Sequence, residues 1–387
     1  MKDSRDVIHQ VLENVLGIPF TEGNRVDVLR NGDRIFPAML EAIDAAQSRI
    51  EFLTFVYWTG DIADRFAHAL AARARAGVDV RVILDAIGAS EMSDALLEVM
   101  RDAGVDVQWF RPLTRWRPWE ADNRTHRKVL VVDGLVGFTG GVGVAKEWEG
   151  DARNEQEWRD THFRIVGPAV QGLQGAFYGN WAETGKRLYE PPERMLWPER
   201  RYMGDAVVQV IRTTASTGWS DIASLVELLI GLSRRRLRIA SAYFVPDQHT
   251  IDNLCHGVER GVEIDIMMPG EHTDSRVSQL AGEAQFELLL EKGVRLWKYQ
   301  KTMLHTKIFT VDGVAACIGS ANFNQRSMRK DDELALVVLH DDIVRRLDDD
   351  FEADLEHCDQ LKPGEWKRRG AVQRVLEVVS APVRPQT

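Results

Sequence analysis

The chain of 387 residues says the same thing twice, and this limits its possible folds more than any local motif. RIEFLTFVYWTGD (49–61) pairs with RLRIASAYFVPDQ (236–248), and AGVDVRVILD (76–85) with RGVEIDIMMP (260–269). AGVDVQWF (103–110) pairs with KGVRLWKY (292–299), and THRKVLVVDG (125–134) with LHTKIFTVDG (304–313). Each half reads strand, helix, strand, helix, strand, then strand-turn-strand. That alternation predicts an α/β layered unit with a largely parallel sheet. A repeat of this length is too long for a solenoid unit and predicts two similar domains facing each other about a pseudo-twofold axis. The length itself exceeds what one core usually serves. The expected division is 1–188, a linker over 189–204 rich in proline and charge, and 205–387 ending in a basic tail.

The last repeated pair carries chemistry. Side chains two apart on a strand share a face, so His126 lies beside Lys128 and His305 beside Lys307. Asp133-Gly134 and Asp312-Gly313 are the dipeptide favoured in tight hairpins. A single H-x-K before an apolar strand is an ordinary coincidence. Two copies of H-x-K-x4-D at equivalent places are not. Two histidines brought together can divide a displacement, one attacking and the other protonating the leaving oxygen. Two lysines can neutralise one phosphate as point charges. No acidic cluster of magnesium-site character lies nearby, so the expected chemistry uses no metal and no cofactor.

HRKVLVVDG and HTKIFTVDG resemble the paired catalytic motifs of the phospholipase D superfamily. Over about residues 25 to 379 the chain resembles bacterial cardiolipin synthases, through AGVDVRVILDAIGAS, VGFTGG, EWRDTHFRIVGPAVQGLQ, AYFVPD and IGSANFNQRS. The resemblance implies two α/β/α sandwich domains with one active site at their interface, and a phosphohistidine intermediate. By the same resemblance His126 is the nucleophile and His305 the acid, then the base. Lys128 and Lys307 hold the phosphoryl oxygens, and Ser320 and Asn322 line the phosphate pocket. Glu333 and Asp160 match the positions of the acidic partners that fix the histidine tautomers. Asp133 and Asp312 complete the motifs and are expected to hold the turn and its neighbouring backbone. The first half departs from the family pattern: Gly143 stands where an asparagine is usual, and backbone N–H groups of residues 140–143 are the expected replacement donors.

The implied activity is phosphatidyl transfer to form cardiolipin from phosphatidylglycerol or a related donor. Hydrolysis by the same site is the alternative, and a nuclease is a more remote one. A net charge of −10 argues against a surface coated by nucleic acid. The expected partner is a phospholipid, met by peripheral membrane contact. Between Arg111 and Lys128 lie six basic and two acidic residues, with Trp116 and Trp119 among them, a composition suited to anionic headgroups. Trp366 with Lys367, Arg368, Arg369 and Arg374 forms either a second such contact or a solvated helix. The stripe Val7, Ile8, Val11, Leu12, Val15 and Leu16 predicts an N-terminal helix docked on a domain. No run resembles a membrane span or a signal peptide, and Cys255, Cys317 and Cys358 form no disulfide or zinc pattern. The expected location is cytoplasmic, peripheral on the inner face of the cell membrane.

Overall fold

The computed structural model describes residues 4–112, 122–188, 201–214, 220–283 and 285–366. Among these residues fifteen strands form one continuous sheet. One half runs inward from the edge as Asp106–Phe110, Asp79–Asp85, Arg49–Thr54, Val129–Val132, Val136–Gly140, Thr161–Val166 and Thr21–Arg30. The other runs outward as Ala206–Thr213, Glu333–Leu339, Ala315–Gly319, Lys307–Val311, Arg236–Ser241, Glu263–Pro269, Arg295–Tyr299 and Cys358–Gln360. Read outward from the junction, the two orders match strand for strand, with Cys358–Gln360 an added edge. The repeated sequence segments fall on matching strands. The junction strands pair antiparallel, Thr21 opposite Val208 and Asn24 opposite Ala206, as a pseudo-twofold axis between them requires.

The sheet is mixed, which corrects the expectation of a largely parallel one. Only the three outer repeat strands of each half run parallel, Arg49–Thr54, Asp79–Asp85 and Asp106–Phe110 in one, Arg236–Ser241, Glu263–Pro269 and Arg295–Tyr299 in the other. The inner pairings of both halves are antiparallel. Parallel neighbours need a crossover element, and among the described residues the helices that join neighbouring strands of the sheet in this way lie between the first three repeat strands of each half. The motif strands end instead in two-residue turns. Asp133 and Gly134 have φ of 53° and 66°, Asp312 and Gly313 of 55° and 74°. The Leu135 and Val314 N–H groups close these turns onto Val132 and Val311 at 3.0 Å. Positive φ at both centres matches the strand twist and forces a tight antiparallel return.

The helices Val170–Glu183 and Asp341–Leu355 pack on a core that straddles the junction. Leu173, Phe177, Phe163 and Ile165 meet Val208, Leu336, Val338 and Leu347 there. Each large apolar chain so buried contributes roughly 1.5–3 kcal/mol, enough collectively to hold the halves as one body. The N-terminal helix Ser4–Leu16 docks as its stripe predicts, with Ile8 and Leu12 buried. Its partner is the helix Asp221–Leu232, and so the core of the second half.

Two expected lipid contacts are altered by the structure. Of the six basic residues between Arg111 and Lys128, four turn inward. Arg111 pairs with Glu183 at 2.6 Å, Arg124 makes a buried ion pair with Asp85, Arg127 is buried, and Lys128 enters the site described below. Trp116, Trp119, Arg115 and Arg117 lie outside the described residues, as do most of the linker and the tail beyond Trp366. Trp366 itself is buried against Phe286, with ring centroids 5.5 Å apart, and cannot face a membrane.

Candidate active site

The motif strands enter from the ends opposite their turns, and there each half bonds to the other. Outside the regular strands, Thr125 bridges to Asp332 and Arg159 to Leu304. The His126 N–H donates to the Asp332 carbonyl at 2.9 Å, and the His305 N–H to the Arg159 carbonyl at 2.7 Å. Both histidine backbones are thus pinned by the opposite half.

The side chains repeat the exchange. His126 Nδ1 lies 2.9 Å from Glu333 Oε1, and His305 Nδ1 lies 2.8 Å from Asp160 Oδ2. The first-half histidine has a second-half carboxylate, and the reverse. An Nδ1–H donated to a carboxylate leaves Nε2 as the nitrogen free to react. Lys128 Nζ donates to the His126 carbonyl at 2.9 Å, and Lys307 Nζ to the His305 carbonyl at 2.6 Å. Lys307 Nζ also lies 3.1 Å from His305 Nε2.

Burial and like charge tune these groups. Burial lowers the His126 imidazole, although Glu333 opposes it. Burial and then Lys307 push His305 down to about 3, against the pull of Asp160. Burial lowers Lys128 to about 7 and Lys307 to about 8. Burial would raise the Glu333 carboxyl, but His126, Lys128 and the Ser320 hydroxyl together hold it below its ordinary value. Asp160 is likewise held low by His305, Lys307 and the Thr161 N–H, against burial. Cationic and anionic groups therefore hold one another in a buried, charge-compensated cluster.

Ser320 donates its hydroxyl to Glu333 Oε2, so it orients the carboxylate. Asn322 is buried, and its Oδ1 has no hydrogen-bond partner. The first half solves the same problem differently. Gly141 and Gly143 stand at the places of Ser320 and Asn322, and the carboxylate Asp160 Oδ2 instead accepts from the indole N–H of Trp148 at 2.9 Å. A Cβ on Gly143 would lie 2.6 Å from Val56 Cβ and 3.2 Å from Trp148 Cζ3. The indole has taken the space of an asparagine side chain. The Gly141 N–H, one of the expected replacement donors, is bonded to the Thr161 carbonyl at 3.3 Å.

Asp133 and Asp312 lie at the far turns. Asp133 accepts from the N–H groups of Gln47, Ser48 and Arg49 at 2.8–2.9 Å, and Asp312 from those of Arg234, Arg235 and Arg236 at 2.8–3.0 Å. They fix the neighbouring strand's entry and are remote from the imidazoles.

Sequence reasoning missed three elements. Trp148 carried no repeat signal, because its partner is a different residue type. Arg127 sits between the motif residues, so its side chain takes the other face. It is buried and donates to Asn180 Oδ1 at 2.7 Å and to the Thr213 carbonyl at 2.6 Å. Period-two alternation was the available clue. The buried pair Arg159–Asp354, at 2.9 Å, ties the Asp160 strand to the helix Asp341–Leu355 of the other half.

His126, Lys128, His305 and Asn322 line one cavity of about 240 Å³. Aromatic walls of Phe55, Trp58, Trp148, Trp158 and Tyr243 enclose it, with Asp274 and Asp331 among the polar residues. Two oriented imidazoles and the Lys128 ammonium facing one cavity, with the Lys307 ammonium 3.1 Å from His305 Nε2, suit displacement at a phosphorus carrying negative charge.

The family model described as "Cardiolipin synthase, PLD-like domain" matches residues 39–152 and 227–355. Cardiolipin synthase 1 of Bacillus cereus is 30% identical over 375 residues, covering 95% of this chain and 74% of that protein. Cardiolipin synthase of Geobacillus thermodenitrificans is 32% identical over 369 residues, covering 95% and 73%. Among solved structures, phosphatidylserine synthase of Haemophilus influenzae superposes with a TM-score of 0.71 at 14% identity, covering 100% of both chains. Polyphosphate kinase of Porphyromonas gingivalis gives 0.59 at 16% identity, over 92% of this chain and 53% of that one. With its doubled α/β architecture, paired H-x-K-x4-D motifs and this family match, the chain belongs to the phospholipase D superfamily, in the cardiolipin synthase family of PLD-like domains.

Proposed function

We propose that the protein is a phosphatidyltransferase that makes cardiolipin from phosphatidylglycerol, or a related phospholipid donor, through a phosphohistidine. The observation that carries this reading is the crossed pair of imidazole–carboxylate contacts, with both imidazoles and Lys128 lining one cavity and Lys307 against His305. His126 Nε2 attacks phosphorus while its Nδ1–H stays on Glu333. The bond from phosphorus to the glycerol oxygen breaks, and His305 Nε2 delivers the proton to that oxygen. A hydroxyl of a second phosphatidylglycerol then loses its proton to His305 and attacks phosphorus. The phosphorus–nitrogen bond breaks, giving cardiolipin and free His126. The products balance as cardiolipin plus glycerol.

Without the phosphate charge, burial and Lys307 keep His305 neutral. A phosphodiester anion beside Lys307 favours the imidazolium and readies it as the acid. Lys128 and Lys307 neutralise the phosphoryl oxygens, and Asn322 supplies a side-chain amide to them. Glu333 and Asp160 hold the tautomers, with Ser320 behind Glu333, and Asp133 and Asp312 set the strand positions. Units 1–188 and 205–387, joined by the linker 189–204, supply one histidine each.

Among the described residues no helix is long and apolar enough to cross a membrane. The proposed setting is peripheral, on the inner face of the cell membrane. The test is to incubate the protein with phosphatidylglycerol vesicles and identify products by mass spectrometry. Cardiolipin with equimolar glycerol supports transfer. Phosphatidic acid in its place means that water is the acceptor and the protein is a phospholipase D. No turnover refutes both.

A further inference from the structure

The geometry points to a polyol subsite beside His305, in which Tyr243 and Asp274 recognise the hydroxyls of a glycerol-type alcohol as it leaves and as its successor enters. This rests on the transferase reading above and names the alcohol class that the site selects.

In-line displacement fixes where the alcohol must be. With His126 as nucleophile, the leaving oxygen lies on the far side of phosphorus, next to His305. The walls there belong to groups the mechanism has not used. The Trp158 ring centroid is 5.4 Å from that of His305, and the Tyr243 centroid is 6.5 Å away, edge to face. Tyr243 Oη donates to Asp274 Oδ2 at 2.5 Å, and Ser275 and Ser278 stand beside them in the same cavity wall. Asp274 itself is exposed at the rim, where an arriving headgroup passes. His126 has a different neighbourhood, with Phe55 at 5.2 Å and the Asp332 carbonyl on its N–H. The two ends of the reaction axis are therefore chemically distinct.

A carboxylate with a phenol at its side suits adjacent hydroxyls, because it accepts from one while the phenol oxygen accepts from the other. The indole face of Trp158 covers the C–H side of such an alcohol. An aminoalcohol is the competing ligand for an aromatic wall with a carboxylate. It is disfavoured here because Lys128 and Arg326 line the same cavity and Lys307 Nζ lies 3.1 Å from His305 Nε2, so a further cation would be repelled by all three. A neutral diol meets no such repulsion. The substrate class that follows is a phosphodiester whose alcohol carries vicinal hydroxyls, both as donor and as acceptor.

The experiment uses the full chain with phosphatidylglycerol vesicles and added deuterated glycerol, 1-propanol or ethanolamine, with the phosphatidyl products resolved by mass spectrometry. The wild type should favour glycerol over 1-propanol. In Asp274→Ala, and more mildly in Tyr243→Phe, that ratio should fall about ten- to a hundredfold, the effect of losing a hydrogen bond to a charged group. The rise should lie in the KM for glycerol. Asp274→Asn, which keeps one acceptor, should fall between. If both variants keep the wild-type ratio, the subsite assignment is wrong. If ethanolamine outcompetes glycerol and loses its advantage in Asp274→Ala, the pair is a cation site and the proposal fails. A wild type that transfers to all three alcohols without preference overturns this inference alone. A wild type that turns over no phospholipid overturns the transferase reading, and this inference with it.

Discussion

Replacing Glu333 by glutamine tests the crossed pairing most directly. The exchange preserves shape but removes the charge that faces His126 Nδ1 at 2.9 Å. Glu333 is fully buried, so water cannot take its place. A hydrogen bond to a charged group is worth about 1.5–3 kcal/mol, and breaking a buried charge pair costs about 3–5 kcal/mol. In the proposed mechanism the imidazolium-like charge on His126 develops only as its nitrogen bonds to phosphorus, so the loss falls on the barrier. At about 1.4 kcal/mol per factor of ten, kcat should fall roughly 10²- to 10³-fold. An amide that turns its NH2 toward Nδ1 would force the proton onto Nε2 and stop attack, which adds to the loss. The assay is rapid-quench measurement of glycerol released from phosphatidylglycerol vesicles in a single turnover. Glu333→Gln should slow this first release. A melting curve close to wild type would show that the junction is intact. First-step release within threefold of wild type, in a folded variant, would refute the idea that the second half orients the first-half nucleophile.

Three further outcomes follow from the same geometry. His126→Ala should abolish turnover, whereas His305→Ala should accumulate an acid-labile phosphoenzyme detectable by intact mass; the reverse pattern would exchange their roles. The kcat/KM for phosphatidylglycerol should fall as pH rises above about 7, because Lys128 near 7 and Lys307 near 8 bind phosphate only when protonated, and both are charged below those values. Lys128→Arg, permanently charged, should move the first part of that fall to higher pH. Asp354→Ala leaves Arg159 buried without its 2.9 Å partner and should destabilise the chain by about 3–5 kcal/mol, read as a lower urea midpoint at unchanged slope.

The features legible in the sequence were those carried by pattern. Duplicated strands, Asp-Gly turns and the H-x-K pairs all repeat at fixed offsets, and the matching strand order reflects each of them. The sheet's mixed character was legible too, because a hairpin turn after the motif strand forbids a parallel neighbour, yet the helix-strand alternation dominated the reading. What could not be read was the exchange between halves. Nothing in EWRDTH says that Asp160 serves the histidine of the other repeat, since a contact over 145 residues is a property of how the halves dock. The basic stretch before the first motif misled for a related reason. Composition counts charges without saying which ones have partners: Arg124 pairs with Asp85 inside the first half, and Arg127 is bonded at the junction to the Thr213 carbonyl.

The asymmetry between the halves has a physical logic. In the second half Ser320 and Asn322 are small buried side chains, Ser320 bonded to Glu333 and Asn322 lining the cavity. In the first half the two glycines remove side chains altogether, and Trp148 fills the vacated volume while its N–H performs the hydrogen bond that Ser320 gives to Glu333. The indole ring also packs edge to face on His305, with centroids 5.2 Å apart. One residue thus bonds the Asp160 carboxylate, walls the cavity and packs on the His305 imidazole. Gly143→Asn, which restores the commoner family residue, should therefore not recover a missing donor. Its Cβ would collide with Val56 and crowd Trp148, at a cost of about 1–3 kcal/mol for an overpacked site. Displacing the indole would loosen Asp160 and His305 together, so kcat should fall with stability. A Gly143→Asn variant with wild-type stability and raised turnover would show instead that the pocket had room for the amide, and that Trp148 does not substitute for it.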